Sequence, residues 1–150
     1  PALLQPLVLG EPSCIIRQAY VPAIRRGDSP IHGDPAVRFW ADLGTPARYL
    51  EVQRLLLTRP DLCPLIRPQQ PLAPEVAGLR VVPPVQIGPG LRLEGRAEVG
   101  PEAVIGAGVT LADGVSVRRS VVWGGATVQT SLADGILMDD GTWVSVGDGS

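Results

Sequence analysis

The side chains that most often carry out chemistry are scarce in this sequence. It contains one histidine, His32, two cysteines and no lysine, so three of the residue types that commonly act as bases or nucleophiles are rare or absent. Cys14 and Cys63 lack the spacing of a metal site or a redox pair, and we expect two buried or partly buried thiols in a reducing compartment. The cysteines therefore indicate neither a metal centre nor a redox centre.

One carboxylate, Asp42, stands just before a predicted helix start, and from spacing alone it is a turn residue. Thr45 is a candidate N-cap with Pro46 at the first helical position, and the predicted helix ends near Arg59-Pro60. Gly44 would permit close approach of a ligand to the backbone, and the helix could point its positive end toward phosphate. The other aspartates that we considered are expected at solvated corners: Asp113, Asp134, Asp139 and Asp140.

An internal repeat sets most of the framework around these residues. From Val81 a large aliphatic residue recurs every six positions: Val81, Ile87, Leu93, Val99, Ile105, Leu111 and Val117. A second apolar residue follows each of them after four positions: Val85, Leu91, Ala97, Ala103, Val109, Val115 and Val121. We take both sets as inward positions, with a corner rich in glycine between them. Three such hexapeptides, about 18 residues, close one triangular coil, so the pattern predicts a parallel β-helix.

The repeat changes after Val117, because the next aliphatic position is Val122, one residue early. Beyond it the pattern degrades, and we expect residues 132–144 to form an irregular last coil that covers the open end of the solenoid. The features that mark this end are Trp123, Trp143 and the acidic turn Asp139-Asp140-Gly141.

The first part of the chain has a different pattern. Ser13 is a candidate N-cap for a helix that Pro22 kinks or divides, and residues 37–43 resemble a short strand before the Thr45 helix. We therefore predict an α/β fragment over residues 1–59, a proline-rich connector over residues 60–80 and the β-helix with its end cap over residues 81–150. Because Pro1-Ala2-Leu3-Leu4 resembles the inside of a helix, we expect the chain to begin within a larger protein.

The segment Phe39-Trp40-Ala41-Asp42-Leu43-Gly44-Thr45-Pro46-Ala47-Arg48-Tyr49-Leu50 closely resembles a motif of sugar-1-phosphate nucleotidyltransferases, especially mannose-1-phosphate guanylyltransferases. In that family the motif lies near the end of the catalytic domain. Pro1-Ala2-Leu3-Leu4 and Tyr20-Val21-Pro22-Ala23-Ile24 also resemble the stretch that precedes it, and the hexapeptide tail completes the order. The resemblance implies a mostly β fold in which a left-handed parallel β-helix follows a partial α/β nucleotidyltransferase domain.

The resemblance also implies that the complete protein transfers a nucleotidyl group from an NTP, with GTP favoured, to a sugar 1-phosphate. The products would be an NDP-sugar, GDP-mannose being favoured, and pyrophosphate. Asp42 matches the family's Mg²⁺ ligand, and we expect Gly44 and Thr45, at the start of the helix, to bind the substrate. Because one aspartate cannot offset the charge of two phosphate compounds, a second carboxylate, a glycine-rich loop and a basic residue are expected outside this chain. We therefore expect the fragment alone to be inactive.

We expect Trp40 and Tyr49 to be packing residues without substrate contacts, and Arg48 to be a solvated helix residue.

Two other functions stay open: a non-catalytic assembly or regulatory subunit, and a hexapeptide-repeat acyltransferase. The second is disfavoured because such enzymes generally use a histidine base, and residues 81–150 contain no histidine.

The net charge is -2 and there is no run of basic residues, so the sequence indicates binding neither to nucleic acid nor to a membrane surface. No apolar run approaches the roughly 18 residues that span a bilayer. We expect a cytoplasmic homo-oligomer whose β-helix assembles subunits or positions a regulatory partner.

Overall fold

The computed structural model describes residues 4–5, 7–27, 31–33, 35–37, 39–62 and 77–147. The chain divides into two compact units, Pro1–Arg38 and Phe39–Ser150. The predicted connector lies largely outside the described residues, as does Cys63. Cys14, which we expected to be buried or partly buried, is exposed. That expectation was wrong, because the described part of the first unit forms no core around the thiol.

The longest regular structure in the described part of the first unit is helical. A π-helical turn, Ile16–Tyr20, continues directly into helix α1, Val21–Arg26. We expected Pro22 to kink or divide the helix, and the structure changes from π-helix to α-helix just before it. The proline lies in the first turn of α1, where its missing N–H costs little. Ser13 is not the cap, because the N-cap position is Ile15 and no side chain caps it. Helix α1 ends at Gly27, whose φ of 69° suits a glycine.

The second unit is a parallel β-solenoid of about 3 turns, with helix α2, Pro46–Thr58, on one side. A short 3₁₀ turn, Pro60–Leu62, follows α2. The strands are β1 (Leu79–Val81), β2 (Val85–Ile87), β3 (Arg92–Leu93), β4 (Ala97–Val99), β5 (Ala103–Ile105), β6 (Thr110–Leu111), β7 (Ser116–Val122), β8 (Thr127–Val128), β9 (Leu132–Leu137) and β10 (Trp143–Ser145).

The pairing register shows how the coils stack. Leu79 pairs with Ala97 and Val85 with Ala103, which are eighteen positions apart, as three hexapeptides require. After the slip the spacing falls to seventeen, since Val104 pairs with Val121. These parallel pairings confirm the predicted solenoid and the early aliphatic position at Val122. Left-handed winding stays a prediction.

The interior of the solenoid is filled by the repeating aliphatic residues. Val99, Leu111 and Val117 are fully buried, and burial of each such side chain contributes roughly 1.5–3 kcal/mol relative to exposure. The first coil is less enclosed, because Val81, Val85 and Leu91 are only partly buried against the core. The solenoid starts at Leu79, close to the predicted start at Val81.

The end of the solenoid is covered on one face by a hairpin. Strand β10 pairs antiparallel with β9, and Trp143 is opposite Leu137. The acidic turn between them is fixed by Asp140, whose Oδ1 accepts the Thr142 N–H at 2.8 Å. Strand β9, paired with β7 on its other side, therefore has no free edge along this hairpin, as expected for an end cap.

The predicted strand over residues 37–43 is wrong where it can be judged, since Val37 and residues 39–43 have no strand structure. A strand needs a hydrogen-bonded neighbour, and these residues pair with none of the ten strands. The described residues of this segment therefore supply no strand for an α/β layer, and the division of the chain into domains stays a prediction.

Candidate functional site

The motif Phe39–Leu50 forms a turn that leads into α2. The Gly44 N–H donates to Asp42 Oδ1 at 3.0 Å, and the Arg48 N–H donates to Thr45 Oγ1 at 3.2 Å. Thr45 has extended dihedral angles and Pro46 occupies the first turn, which confirms the predicted N-cap. The side chains of this turn are solvent-exposed, so the carboxylate of Asp42 and the start of the helix face open space.

Mg²⁺ favours near-octahedral coordination by oxygen atoms, usually from one or two carboxylates, substrate phosphates and water. Asp42 can supply one such ligand, although one of its oxygens already accepts the Gly44 N–H. Among the described residues no group of three or more His, Cys, Asp or Glu side chains could hold a metal ion. The described residues therefore do not make a magnesium site by themselves. The Mg²⁺ role of Asp42 and the substrate roles of Gly44 and Thr45 stay predictions.

The other motif residues differ in their surroundings. Trp40 is 79% exposed, so the expectation that it packs is wrong for the described part of the chain. Tyr49 packs against the cluster beneath α2, as expected. Arg48 is exposed and pairs with Glu51 at 2.6 Å, which confirms a solvated helix residue.

Helix α2 lies on an outer face of the solenoid. Leu50, only 1% exposed, packs in a cluster with Val121 of β7 and Ile136 of β9. We expected Val121 to point into the solenoid, and the structure corrects this: Val122 belongs to the interior cluster and Val121 to the cluster under α2. Neighbouring residues of a strand face opposite sides, so the one-residue slip turns Val121 outward. In the sequence, the adjacent apolar residues Val121 and Val122 could have indicated that both faces of β7 are covered, because neighbouring residues of a strand face opposite sides.

Arg54, four residues after Leu50, fixes the same helix to a corner of the solenoid. Its Nη2 donates to Asp134 Oδ1 at 2.9 Å and to the backbone oxygen of Arg119 at 3.0 Å. Its Nε lies 3.9 Å from Glu102 Oε2, which is an ion pair without a hydrogen bond. One side chain of α2 therefore contacts three successive coils. We did not predict this cluster, because its members lie far apart in the sequence.

Asp134 is the most strongly engaged carboxylate of this corner. Besides the bond from Arg54, it receives hydrogen bonds from Arg119 Nε at 2.7 Å and from Arg119 Nη2. These bonds, chiefly those from Arg119 and then that from Arg54, hold the pKa of Asp134 below its ordinary value, although partial burial opposes the shift. Asp134 is therefore a charged partner in a network and differs from the solvated corner that we expected.

The corner also has an unusual backbone. Glu102, Arg119 and Asp134 have φ values of 57°, 45° and 57°, in the left-handed region where residues with a β-carbon are uncommon. Arg119 is opposite Asp134, because its neighbours Arg118 and Ser120 pair with Ala133 and Gly135. Each such residue costs roughly 1–2 kcal/mol, and the side-chain network stacked along this corner offsets part of that strain.

The remaining expected corners are solvated, as predicted. Asp139 and Asp140 are exposed, and they line a wide groove of about 680 Å³ at the C-terminal end of the solenoid. The pKa of Asp140 is lowered chiefly by the hydrogen bond from the Thr142 backbone. Asp113 is also exposed, and its Oδ1 accepts the N–H of Arg96, seventeen positions earlier, at 2.6 Å, so it connects two successive coils. Asp140 and Asp113 therefore have structural contacts at their corners.

No helix within the described ranges is long and apolar enough to cross a bilayer. Comparison with known proteins finds no family model that matches the chain and no curated protein similar enough to count as a relative. The resemblance to nucleotidyltransferases therefore depends on the motif Phe39–Leu50 and on the order of the segments around it.

Proposed function

We propose that this chain is the C-terminal part of an enzyme that transfers a nucleotidyl group from an NTP to a sugar 1-phosphate. GTP and mannose 1-phosphate are the favoured substrates by resemblance of the motif, which would make GDP-mannose the product. The solenoid is a non-catalytic part that supports assembly into a cytoplasmic homo-oligomer or positions a regulatory partner. This chain by itself is inactive in the proposal, since it supplies no complete metal or nucleotide site.

The observation that carries the proposal is the exposed turn at the start of α2. Asp42 and Thr45 lie together there, and the neighbouring Trp40 is 79% exposed. The carboxylate of Asp42 accepts the Gly44 N–H and is exposed to solvent, and it precedes the positive end of a thirteen-residue helix, which can attract phosphate. The other parts of the active site would approach this turn from outside the described residues.

In the proposed reaction an oxygen of the sugar 1-phosphate attacks the α-phosphorus of the NTP. The bond from the α-phosphorus to the oxygen that bridges the α- and β-phosphates breaks, and pyrophosphate leaves with that oxygen. Both substrates are polyanions, so bound Mg²⁺ would supply charge neutralisation and orientation. Asp42 would contribute one oxygen ligand, and Gly44 and Thr45 would border the phosphate side of the turn.

The test is an assay of Mg²⁺-dependent pyrophosphate release by the complete native protein with GTP and mannose 1-phosphate, followed by other NTP and sugar 1-phosphate pairs. The Asp42→Ala variant should lose nearly all activity while its circular dichroism spectrum is unchanged. Asp139→Ala, which removes an exposed aspartate from the turn between β9 and β10, is the matched control and should keep full activity.

Three results would argue against the proposal in different ways. Full activity of Asp42→Ala would refute the ligand role of that residue alone. A complete protein that releases no pyrophosphate with any substrate pair would favour the assembly or regulatory subunit. Acylation that depends on acetyl-CoA would favour the acyltransferase.

A further inference from the structure

The contacts of Arg54 connect two parts of the second unit that have different tasks in the proposed enzyme. Helix α2 has the Asp42–Thr45 turn at its N-terminus, and Arg54 lies in its third turn. From there Arg54 reaches Asp134 and the backbone of Arg119 through hydrogen bonds of 2.9 and 3.0 Å. Arg54 therefore connects the helix that begins at this turn to the corner of the solenoid.

We propose that Arg54 is a positioning residue, which holds α2 on the solenoid in the one orientation that directs the Asp42–Thr45 turn toward the phosphates of the substrates. This inference rests on the proposed function for the identity of those substrates. The attachment itself is independent of that function.

Leu50 alone does not fix the orientation. It is a buried aliphatic side chain among other aliphatic ones, Val121 and Ile136, and such contacts are non-directional. The hydrogen bonds of Arg54 are directional and charge-assisted, so they restrict rotation and sliding of the helix. When the direction of a helix changes slightly, the displacement is largest at the end farthest from the point of attachment. The Asp42–Thr45 turn lies at that end. Because misplacement of reacting groups by about 1 Å costs up to roughly a hundredfold in rate, the loss of Arg54 should act on catalysis at a distance.

The bonding pattern of Arg54 provides a rescue variant. Both hydrogen bonds come from a single atom, Nη2, so a lysine ammonium in its place can donate both. A matched control is Arg59, the exposed C-cap residue of α2, whose side chain pairs with the nearby Asp61 at 2.9 Å. Arg54→Ala, Arg54→Lys and Arg59→Ala therefore separate loss of the attachment from loss of a positive charge on the helix.

The first readout is hydrogen exchange of this chain at a temperature at which each variant is folded. The reporter is the Tyr49 N–H, which donates to the backbone carbonyl oxygen of Thr45 at 2.9 Å in the first turn of α2. In Arg54→Ala this amide should exchange about tenfold faster, while the amides of β4 and β5 keep their rates. Arg54→Lys should restore most of the protection, and Arg59→Ala should match the unchanged protein.

The second readout is steady-state kinetics of the complete enzyme. Arg54→Ala should lower kcat about tenfold and raise the Mg²⁺ concentration for half-maximal rate, with KM for the sugar 1-phosphate changed less than about twofold. Arg54→Lys should recover most of kcat. A normal kcat in folded Arg54→Ala, or an α2 that exchanges no faster than in Arg59→Ala, would overturn the inference. So would faster exchange throughout the solenoid, since Arg54 would then only support overall stability.

The two proposals fail in distinguishable ways. If the complete protein transfers no nucleotidyl group, the proposed function fails, and the exchange experiment still decides whether Arg54 holds α2 on the solenoid. If wild-type activity is present and depends on Asp42 but not on Arg54, only the positioning role fails.

Discussion

The indole ring of Trp143 lies directly against the α-carbon of Gly135, the residue at the centre of β9. A β-carbon at residue 135 would overlap that ring and the backbone oxygen of Val144. The contact joins the last coil to the hairpin strand β10 that covers it, because Ser145 pairs with Gly135. Glycine is required here by the close approach of the end hairpin, since no positive φ is involved.

Gly135→Ala should therefore destabilise the second unit by about 1–3 kcal/mol, because the hairpin must shift to accept the methyl group. The measurement is the free energy of unfolding from urea denaturation. Gly147→Ala is the control, since nothing lies within 4 Å of a β-carbon at that position. Equal stability of the two variants would mean that Trp143 does not hold the end of the solenoid.

Leu50→Ala should lower the free energy of unfolding by about 2–4 kcal/mol, because it leaves a cavity between α2 and the outer face formed by Val121 and Ile136. Leu55→Ala on the same helix is the matched control, because Leu55 is 38% exposed and should cost less than about 1 kcal/mol. Urea denaturation followed by circular dichroism measures both. If the two substitutions cost the same, α2 is not packed through Leu50.

Asp134→Asn should make the stability of the protein less sensitive to acid. The pKa of Asp134 lies below its ordinary value of 3.8 in the folded protein, chiefly through hydrogen bonds from Arg119 and then from Arg54. A carboxylate with a depressed folded pKa adds stability above its unfolded pKa, and this is lost as the pH falls through the folded value.

The stability difference between the wild-type protein and Asp134→Asn should thus be largest near neutral pH and should shrink below pH 3.8. Since Asp134 and Arg54 are each about one third exposed, solvent screening limits the difference to about 1 kcal/mol. Urea denaturation between neutral pH and pH 3 measures it, with Asp139→Asn as the control. A difference that stays constant through the acid range would show that the charge of Asp134 is not responsible.

Thr45→Ala should destabilise α2 by about 1 kcal/mol, because the Arg48 N–H loses the side-chain oxygen that accepts it. Thr45→Ser keeps that oxygen and should stay within a few tenths of a kcal/mol of the wild type. Hydrogen exchange at the Tyr49 amide reports the loss locally. A Thr45→Ser variant as unstable as Thr45→Ala would indicate that the methyl group of Thr45, and not the cap, supports the helix.

Features that depend on residues close together in the chain were predictable from the sequence. The six-residue aliphatic period predicted the strands and the interior of the solenoid, because each inward position is set by the alternation of its own short strand. The early position of Val122 likewise predicted the change in coil length. The Thr45 cap depends on four consecutive residues and was also correct.

Features that depend on surroundings were not predictable in the same way. Trp40 and Cys14 have the apolar character of packing residues, yet both are exposed, because burial requires a neighbour that composition does not specify. Residues 39–43 lack the paired neighbour that a strand requires. Ser13 can act as an N-cap, but the helical turn begins at Ile16, its N-cap position is Ile15, and no side chain caps it.

The amino-acid sequence by itself determined the repeat, the slip and the start of α2, since these follow from local geometry and side-chain alternation. Only the tertiary structure decided that α2 covers Val121 and that Arg54 joins Asp134 across 80 positions of the chain. Such contacts form because a closed coil brings distant segments to the same corner. The partner of a charged side chain cannot be predicted from a periodic pattern in the sequence. The direction of the Asp42–Thr45 turn is therefore a property of the folded solenoid and not of the motif.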